Sequence, residues 1–149
     1  STKQAIEWIR DTGSRLARGY LVLIDYGHEA TSLYSRERPA GTLATFHRHL
    51  INAPGSDPGT PGWLADPGNR DLTAHVDLTS IRREAEAAGL ETVTVEDQTR
   101  FLLGIAEQQP SILAALAGAG GLHDRLALKT LLVPGGLGTT HKVMVFRRT

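Results

Sequence analysis

Tyr20-Leu21-Val22-Leu23-Ile24, followed at once by Asp25-Tyr26-Gly27, decides how the rest of the chain is read. Five apolar residues run without polar alternation. That pattern predicts a strand buried on both faces, as in a parallel sheet covered by helices on each side. Such a strand wants sheet neighbours on both edges. In open α/β sheets ligands sit outside the carboxyl ends of the strands, so a polar tripeptide in that position is a candidate site. Asp25-Tyr26-Gly27 has two readings. In one it is a turn, with Gly27 supplying a positive φ and Asp25 capping backbone amides. In the other, Asp25 accepts hydrogen bonds from a guanidinium or an amine and holds it in line for reaction.

Upstream, Ala5, Trp8, Ile9 and Leu16 recur near helical spacing and predict a helix over residues 1–17, ended by Arg18-Gly19. Downstream, residues 28–78 are polar and turn-rich. Within 53–70, four of the seven prolines (Pro54, Pro58, Pro61 and Pro67) alternate with Gly55, Gly59, Gly62 and Gly68, so that stretch reads as a long loop. Trp63 within it is either an anchor for the loop or a contact for a partner protein. A helix over residues 80–88 follows, capped by Thr79 or Ser80 and ended by Gly89, then a β-branched strand over residues 90–95. Asp97 can cap a helix carrying Phe101, Leu102 and Ile105. Further helices are predicted from Pro110 and around Leu122, Leu126 and Leu131. A turn over 133–138 then leads into a closing strand, residues 142–147. Three strands among four or five helices make an α/β chain with a thin sheet.

The composition bounds the function. The 149 residues are 40% hydrophobic and 21% charged, the proportions of one globular domain. Sixteen basic residues balance sixteen acidic ones, which leaves no global electrostatic footprint for nucleic acid or an anionic membrane. Cysteine is absent, which removes disulfides, thiolate metal sites and cysteine nucleophiles. The chain opens Ser1-Thr2-Lys3 without an initiator Met; processing, cloning or excision from a longer chain would each explain it, and the last is the expectation here.

Several motifs occur in a fixed order. Asp25-Tyr26-Gly27 follows the buried strand. Gly41-Thr42-Leu43 with His49 comes next, then Asp71-Leu72-Thr73-Ala74-His75-Val76-Asp77. Gln98-Thr99-Arg100-Phe101-Leu102 follows the second strand, and Lys142-Val143-Met144-Val145 closes the chain. This order resembles the C-terminal half of the MidA-like S-adenosylmethionine-dependent methyltransferases, a family that includes a protein arginine methyltransferase of mitochondrial complex I assembly. The match spans nearly the whole chain. It departs at Leu78, where the family carries an aromatic residue, and over Leu137-Gly138-Thr139-Thr140-His141-Lys142, where the family tends to Met-Gly-Glu-x-Phe-Lys.

The resemblance implies the C-terminal part of a Rossmann-like methyltransferase fold. Residues 1–149 would form one portion of a single domain, with residues 28–78 as a Pro/Gly-rich lid insertion. The closing strand would be antiparallel to its neighbours. The glycine-rich turn that holds the cofactor in such folds has no counterpart after a buried strand here; Gly118-Ala119-Gly120-Gly121 and Gly135-Gly136-Leu137-Gly138 lie in other contexts. S-adenosylmethionine is therefore expected as the cofactor of the complete protein and not as a ligand of this chain alone. The resemblance further implies a protein arginine as methyl acceptor, with Asp25, Tyr26, His75 and Asp77 as catalytic candidates. Gly27, Thr42, His49, Asp71 and Thr73 are the substrate-binding candidates. It places the protein in the bacterial cytoplasm or, in a eukaryote, the mitochondrion, the cytoplasm being favoured.

The residues also leave room for other readings. Asp71, Thr73, His75 and Asp77 alternate and would share one face of an extended segment, as a pocket wall or as caps tying the lid to the next helix. His47, His49, His75 and Asp77 could instead converge on a metal in a small hydrolase. A non-catalytic assembly module using the lid and Trp63 is a further alternative, and open sheet edges could pair two copies of the chain.

Overall fold

A computed structural model describes residues 2–36, 42–47, 50–52, 68, 71–111, 114, 121–132 and 137–149. The elements, in chain order, are α1 (Thr2–Arg15), β1 (Gly19–His28), α2 (Ala30–Leu33), β2 (Leu43–His47), β3 (Leu50–Asn52), β4 (Asp71–Ala74), β5 (Val76–Asp77), α3 (Leu78–Ala87), β6 (Glu91–Asp97), α4 (Gln98–Gln108), α5 (Leu122–Leu132), α6 (Leu137–Thr140) and β7 (His141–Arg148).

Four strands form the main sheet in the order β5-β1-β7-β6. β7 runs antiparallel to both β1 and β6, as the resemblance implies, and pairs with β1 from Gly19↔Arg148 to Tyr26↔His141. β5 is parallel to β1 but pairs only at Gly27↔Val76 and His28↔Asp77. A second, three-stranded sheet, β3-β2-β4, is built from the segment read as lid. Its strands are only three to five residues long, too short for their alternation to carry a periodic signal.

The larger core lies on one face of the main sheet; Val143 and Val145, alternating with Met144 and Phe146 on β7, are buried on the other, and α4 and α6 also pack against β7. Ile9 of α1, with Leu78, Ile81 and Ala85 of α3, packs on Met144 and Phe146, and Leu21, Leu23 and Val95 join from the strands. α3 starts as it does because the Asp77 side chain accepts from the Ser80 amide at 3.1 Å and from the Ser80 hydroxyl at 2.7 Å. Asp77 is thus the cap, in place of Thr79 or Ser80. Gly89 ends the turn after α3 with φ +82°, the left-handed conformation expected there.

Three expectations need correction. β1 is not buried on both faces: Tyr20, Val22 and Ile24, opposite the core, are exposed. Asp25-Tyr26-Gly27 is not a turn but the last part of β1, and Gly27 is not among the described glycines of positive φ. Gly27 is needed for space instead, since a Cβ there would lie 2.5 Å from Leu78 Cδ2. Leu137 and Gly138 begin the short helix α6 rather than end a turn. Among the described residues, no helix is long and apolar enough to cross a membrane.

Candidate functional site

β1, β5 and β6 share one direction, so their carboxyl ends meet at one end of the sheet, beside the start of β7. A polar cavity of about 410 Å³ opens there, lined by His28 at the end of β1, by Glu29 and Ser32 after it, by Glu96, Asp97 and Arg100 at the β6–α4 junction and by Lys142 of β7, with Leu78 and Val95 also in its wall. This is where an α/β sheet binds its ligands. Three carboxylates face two cationic side chains, so with His28 neutral the wall carries one net negative charge.

Local hydrogen bonds hold these groups. The Thr79 hydroxyl donates to Glu29 Oε2, and the Ala30 amide donates to Thr79 Oγ1 at 2.9 Å, so the start of α3 fixes the segment after β1. Arg82 lies 3.9 Å from the same Glu29 oxygen. The Thr94 hydroxyl donates to Glu96 Oε1 at 3.2 Å. Asp97 makes no side-chain cap to α4, against expectation; it forms an ion pair with Lys142 across the sheet. That pair neutralises Lys142 and leaves Glu29 and Glu96 as the carboxylates able to meet a cationic ligand.

The expected site residues do not gather in one place. Asp25 is exposed, accepts from the Tyr26 amide at 2.7 Å, and lines a second, apolar recess between α1 and the sheet. Tyr26 rests its ring on His141, with centroids 4.0 Å apart. The Asp71, Thr73, His75, Asp77 series does not share one face, because the chain passes from the small sheet to the main sheet between β4 and β5. Asp71 is exposed and Thr73 half-buried on β4. His75 sits between the sheets: its amide donates to the Thr42 carbonyl at 3.4 Å, and its ring faces His28 with centroids 4.8 Å apart. Asp77 is buried; besides its two bonds to Ser80 it accepts from the Tyr34 hydroxyl at 3.5 Å. A carboxylate so engaged organises the end of the sheet rather than facing a ligand.

His49, Trp63 and most of the Pro/Gly stretch lie outside the described residues, as does the side chain of His47. Among the described residues no group of three His, Asp or Glu side chains is arranged to hold a metal. His28, Glu29, Glu96 and Lys142 were missed by sequence reasoning. The signal was present: each stands within two residues of a strand terminus at the ligand-binding end of the sheet.

Of the two glycine-rich stretches considered for the cofactor, Gly118-Ala119-Gly120 and Gly135-Gly136 lie outside the described residues. Gly121 stands just before α5. A Cβ on Gly138 would meet Thr99 Oγ1 and the Leu131 carbonyl, so that glycine serves close packing of α6.

The solved structures similar to this chain include two from Burkholderia thailandensis. One is an uncharacterized COG1565 superfamily protein, 31% identical, matched over 96% of this chain and 36% of that one, with a TM-score of 0.76. The other is a COG1565 superfamily member and "likely methyl transferase" bound to S-adenosyl-homocysteine, also 31% identical, matched over 98% of this chain and 36% of its own, with a TM-score of 0.73. This chain therefore spans about a third of the length of either. No curated protein matches it. A family model described as "Putative S-adenosyl-L-methionine-dependent methyltransferase" matches residues 2–95, from α1 through most of β6. With that match over more than half its length, the chain belongs to this methyltransferase family.

Proposed function

We propose that this chain forms the acceptor side of a MidA-like S-adenosylmethionine-dependent methyltransferase whose acceptor is a protein arginine side chain. The observation that carries the reading is the polar cavity at the carboxyl ends of β1 and β6, with Glu29 and Glu96 in its wall. Each holds one oxygen to a neighbouring threonine hydroxyl, and the second oxygen is directed to no partner among the described residues. Carboxylates fixed in this way suit a guanidinium, which brings five donors in a rigid fork. In methyl transfer the cofactor supplies the activated methyl group. What these residues contribute is orientation of the acceptor nitrogen and stabilisation of its charge. His28, steadied by the His75 ring, stands at the cavity wall where a proton could be taken up.

A nuclear magnetic resonance titration tests this on the chain as it stands. An arginine-containing peptide is expected to shift the His28 signals, and the Glu29→Gln/Glu96→Gln double variant to weaken binding by roughly tenfold or more. Equal binding by the double variant, or no response at His28, would contradict the reading.

A further inference from the structure

The cavity at the carboxyl ends of β1 and β6 has two cations in its wall, and they are placed differently. Lys142 is paired with Asp97 across the sheet. Arg100, on the first turn of α4, has no hydrogen-bond or ion-pair partner among the described residues. Carboxylates are close in sequence, since Glu96 and Asp97 stand just before α4. Both belong to β6, however, and neither closes on Arg100. Asp97 turns to Lys142, and Glu96 receives the Thr94 hydroxyl. The arginine is thus left uncompensated in a wall that holds three carboxylates.

The base from which it projects is firm. Gln98 donates to the Leu131 carbonyl at 3.2 Å and Thr99 to the Leu132 carbonyl at 3.0 Å, so the turn of α4 that carries Arg100 is tied to the end of α5. A guanidinium on a fixed turn, exposed to a cavity, suits a planar anion and can hold a carboxylate by two parallel hydrogen bonds. The cavity therefore has two characters. Glu29 and Glu96 offer it to a cation, and Arg100 offers it to an anion. A ligand that satisfies both carries both charges close together.

We infer that Arg100 sets the sequence preference for the methyl acceptor: it binds a carboxylate on the same polypeptide, close to the arginine that Glu29 and Glu96 receive. The inference rests on the arginine reading above. The carboxylate belongs to an aspartate or glutamate beside that arginine or to a chain terminus just after it. A lysine or second arginine in the same place would meet Arg100 with like charge, so the residue also rejects strongly basic sequences.

The test is calorimetric titration of the 149-residue chain with acetylated, amidated peptides. One glutamate is moved over the two positions on either side of a single arginine, and glutamine at all of them gives the reference peptide. At one or more positions the glutamate peptide should bind about threefold to tenfold tighter than the reference, as a partly solvated charge pair does, and by less as salt rises. Arg100→Gln should abolish that advantage and leave the affinity for the reference unchanged. Arg100→Glu should transfer it to a peptide with lysine in the same place. Lys129→Gln on α5, which removes a positive charge away from the cavity, should keep it. Arg100 is exposed, and the melting temperature of each variant checks that the fold is kept. A peptide ending in arginine with a free carboxylate distinguishes the two sources: an Arg100-dependent gain there, larger than at any internal glutamate, assigns the contact to a chain terminus. A glutamate advantage that survives Arg100→Gln overturns the inference. Peptides that bind equally well with and without glutamate overturn it and uphold the arginine reading. A glutamate advantage that depends on Arg100 but persists when the peptide's arginine is replaced by glutamine upholds the contact and sinks the arginine reading. No binding by any peptide overturns both.

Discussion

The two faces of β1 are equally apolar in sequence and unlike in structure. Leu21 and Leu23 turn toward α1 and α3 and join a core in which Ile9, Ala85 and Phe146 are fully buried. Tyr20, Val22 and Ile24, alternating with them, face outward and stay exposed. The same backbone and the same residue types thus give sealed packing where helices cover the sheet and open surface where nothing described does. An apolar run states what a strand requires and not what the chain at hand supplies.

Substitutions on the two faces should separate accordingly. Phe146→Ala empties the covered face and should cost about 3–5 kcal/mol in denaturant unfolding, as large-to-small changes in full cores do. Asp77→Ala removes the α3 cap and strands the Tyr34 and Ser80 hydroxyls, at about 1–3 kcal/mol. Loss of stability there, with peptide binding kept, would show that Asp77 is a structural group.

A smaller, pH-dependent contribution comes from Glu84, buried under α1. Arg10 donates to it from Nε at 2.8 Å, and this hydrogen bond holds its carboxyl below the usual glutamate range despite burial. Because the folded-state pKa is the lower one, the stabilisation is fully present above the unfolded value of about 4.3 and is lost as pH falls through the lowered folded value. The melting-temperature gap between the wild type and Glu84→Gln should therefore be present at neutral pH and close on acidification; a constant gap would contradict the assignment. Arg10 is well exposed, so water screens the pair and its effect is modest. Val22→Thr on the open face should change stability by less than about 0.5 kcal/mol. A larger loss would mean that Val22 is already covered in solution.

The sheet was legible where strands are apolar and the helices where caps and glycines punctuate them. β1, β6 and β7 each announce themselves by a run of apolar or β-branched residues, and Gly89 marks its turn because only a left-handed residue fits there. The small sheet was hidden because β2 to β4 are only three to five residues long, too short for a period of two to declare itself. The grouping of Asp71, Thr73, His75 and Asp77 failed for a topological reason: one residue between β4 and β5 sends the chain from one sheet to another. The cavity was half legible. Its position followed from the end of β1, but Glu29, Glu96 and Lys142 come from three separate elements and meet only once β7 lies between β1 and β6.

The central claim is that the cavity at the carboxyl ends of β1 and β6 presents a protein arginine to a methyl donor. The most direct measurement is transfer of labelled methyl from S-adenosylmethionine to an arginine-containing peptide by a complex of this chain with the unmatched part of the S-adenosyl-homocysteine-bound Burkholderia protein, with and without Glu29→Gln/Glu96→Gln. The account predicts methylarginine from the complex and a loss of roughly a hundredfold or more in the variant, since two charge-assisted contacts to the acceptor are removed. A complex that binds S-adenosyl-homocysteine but methylates no arginine, or methylates it equally well without both carboxylates, would contradict it.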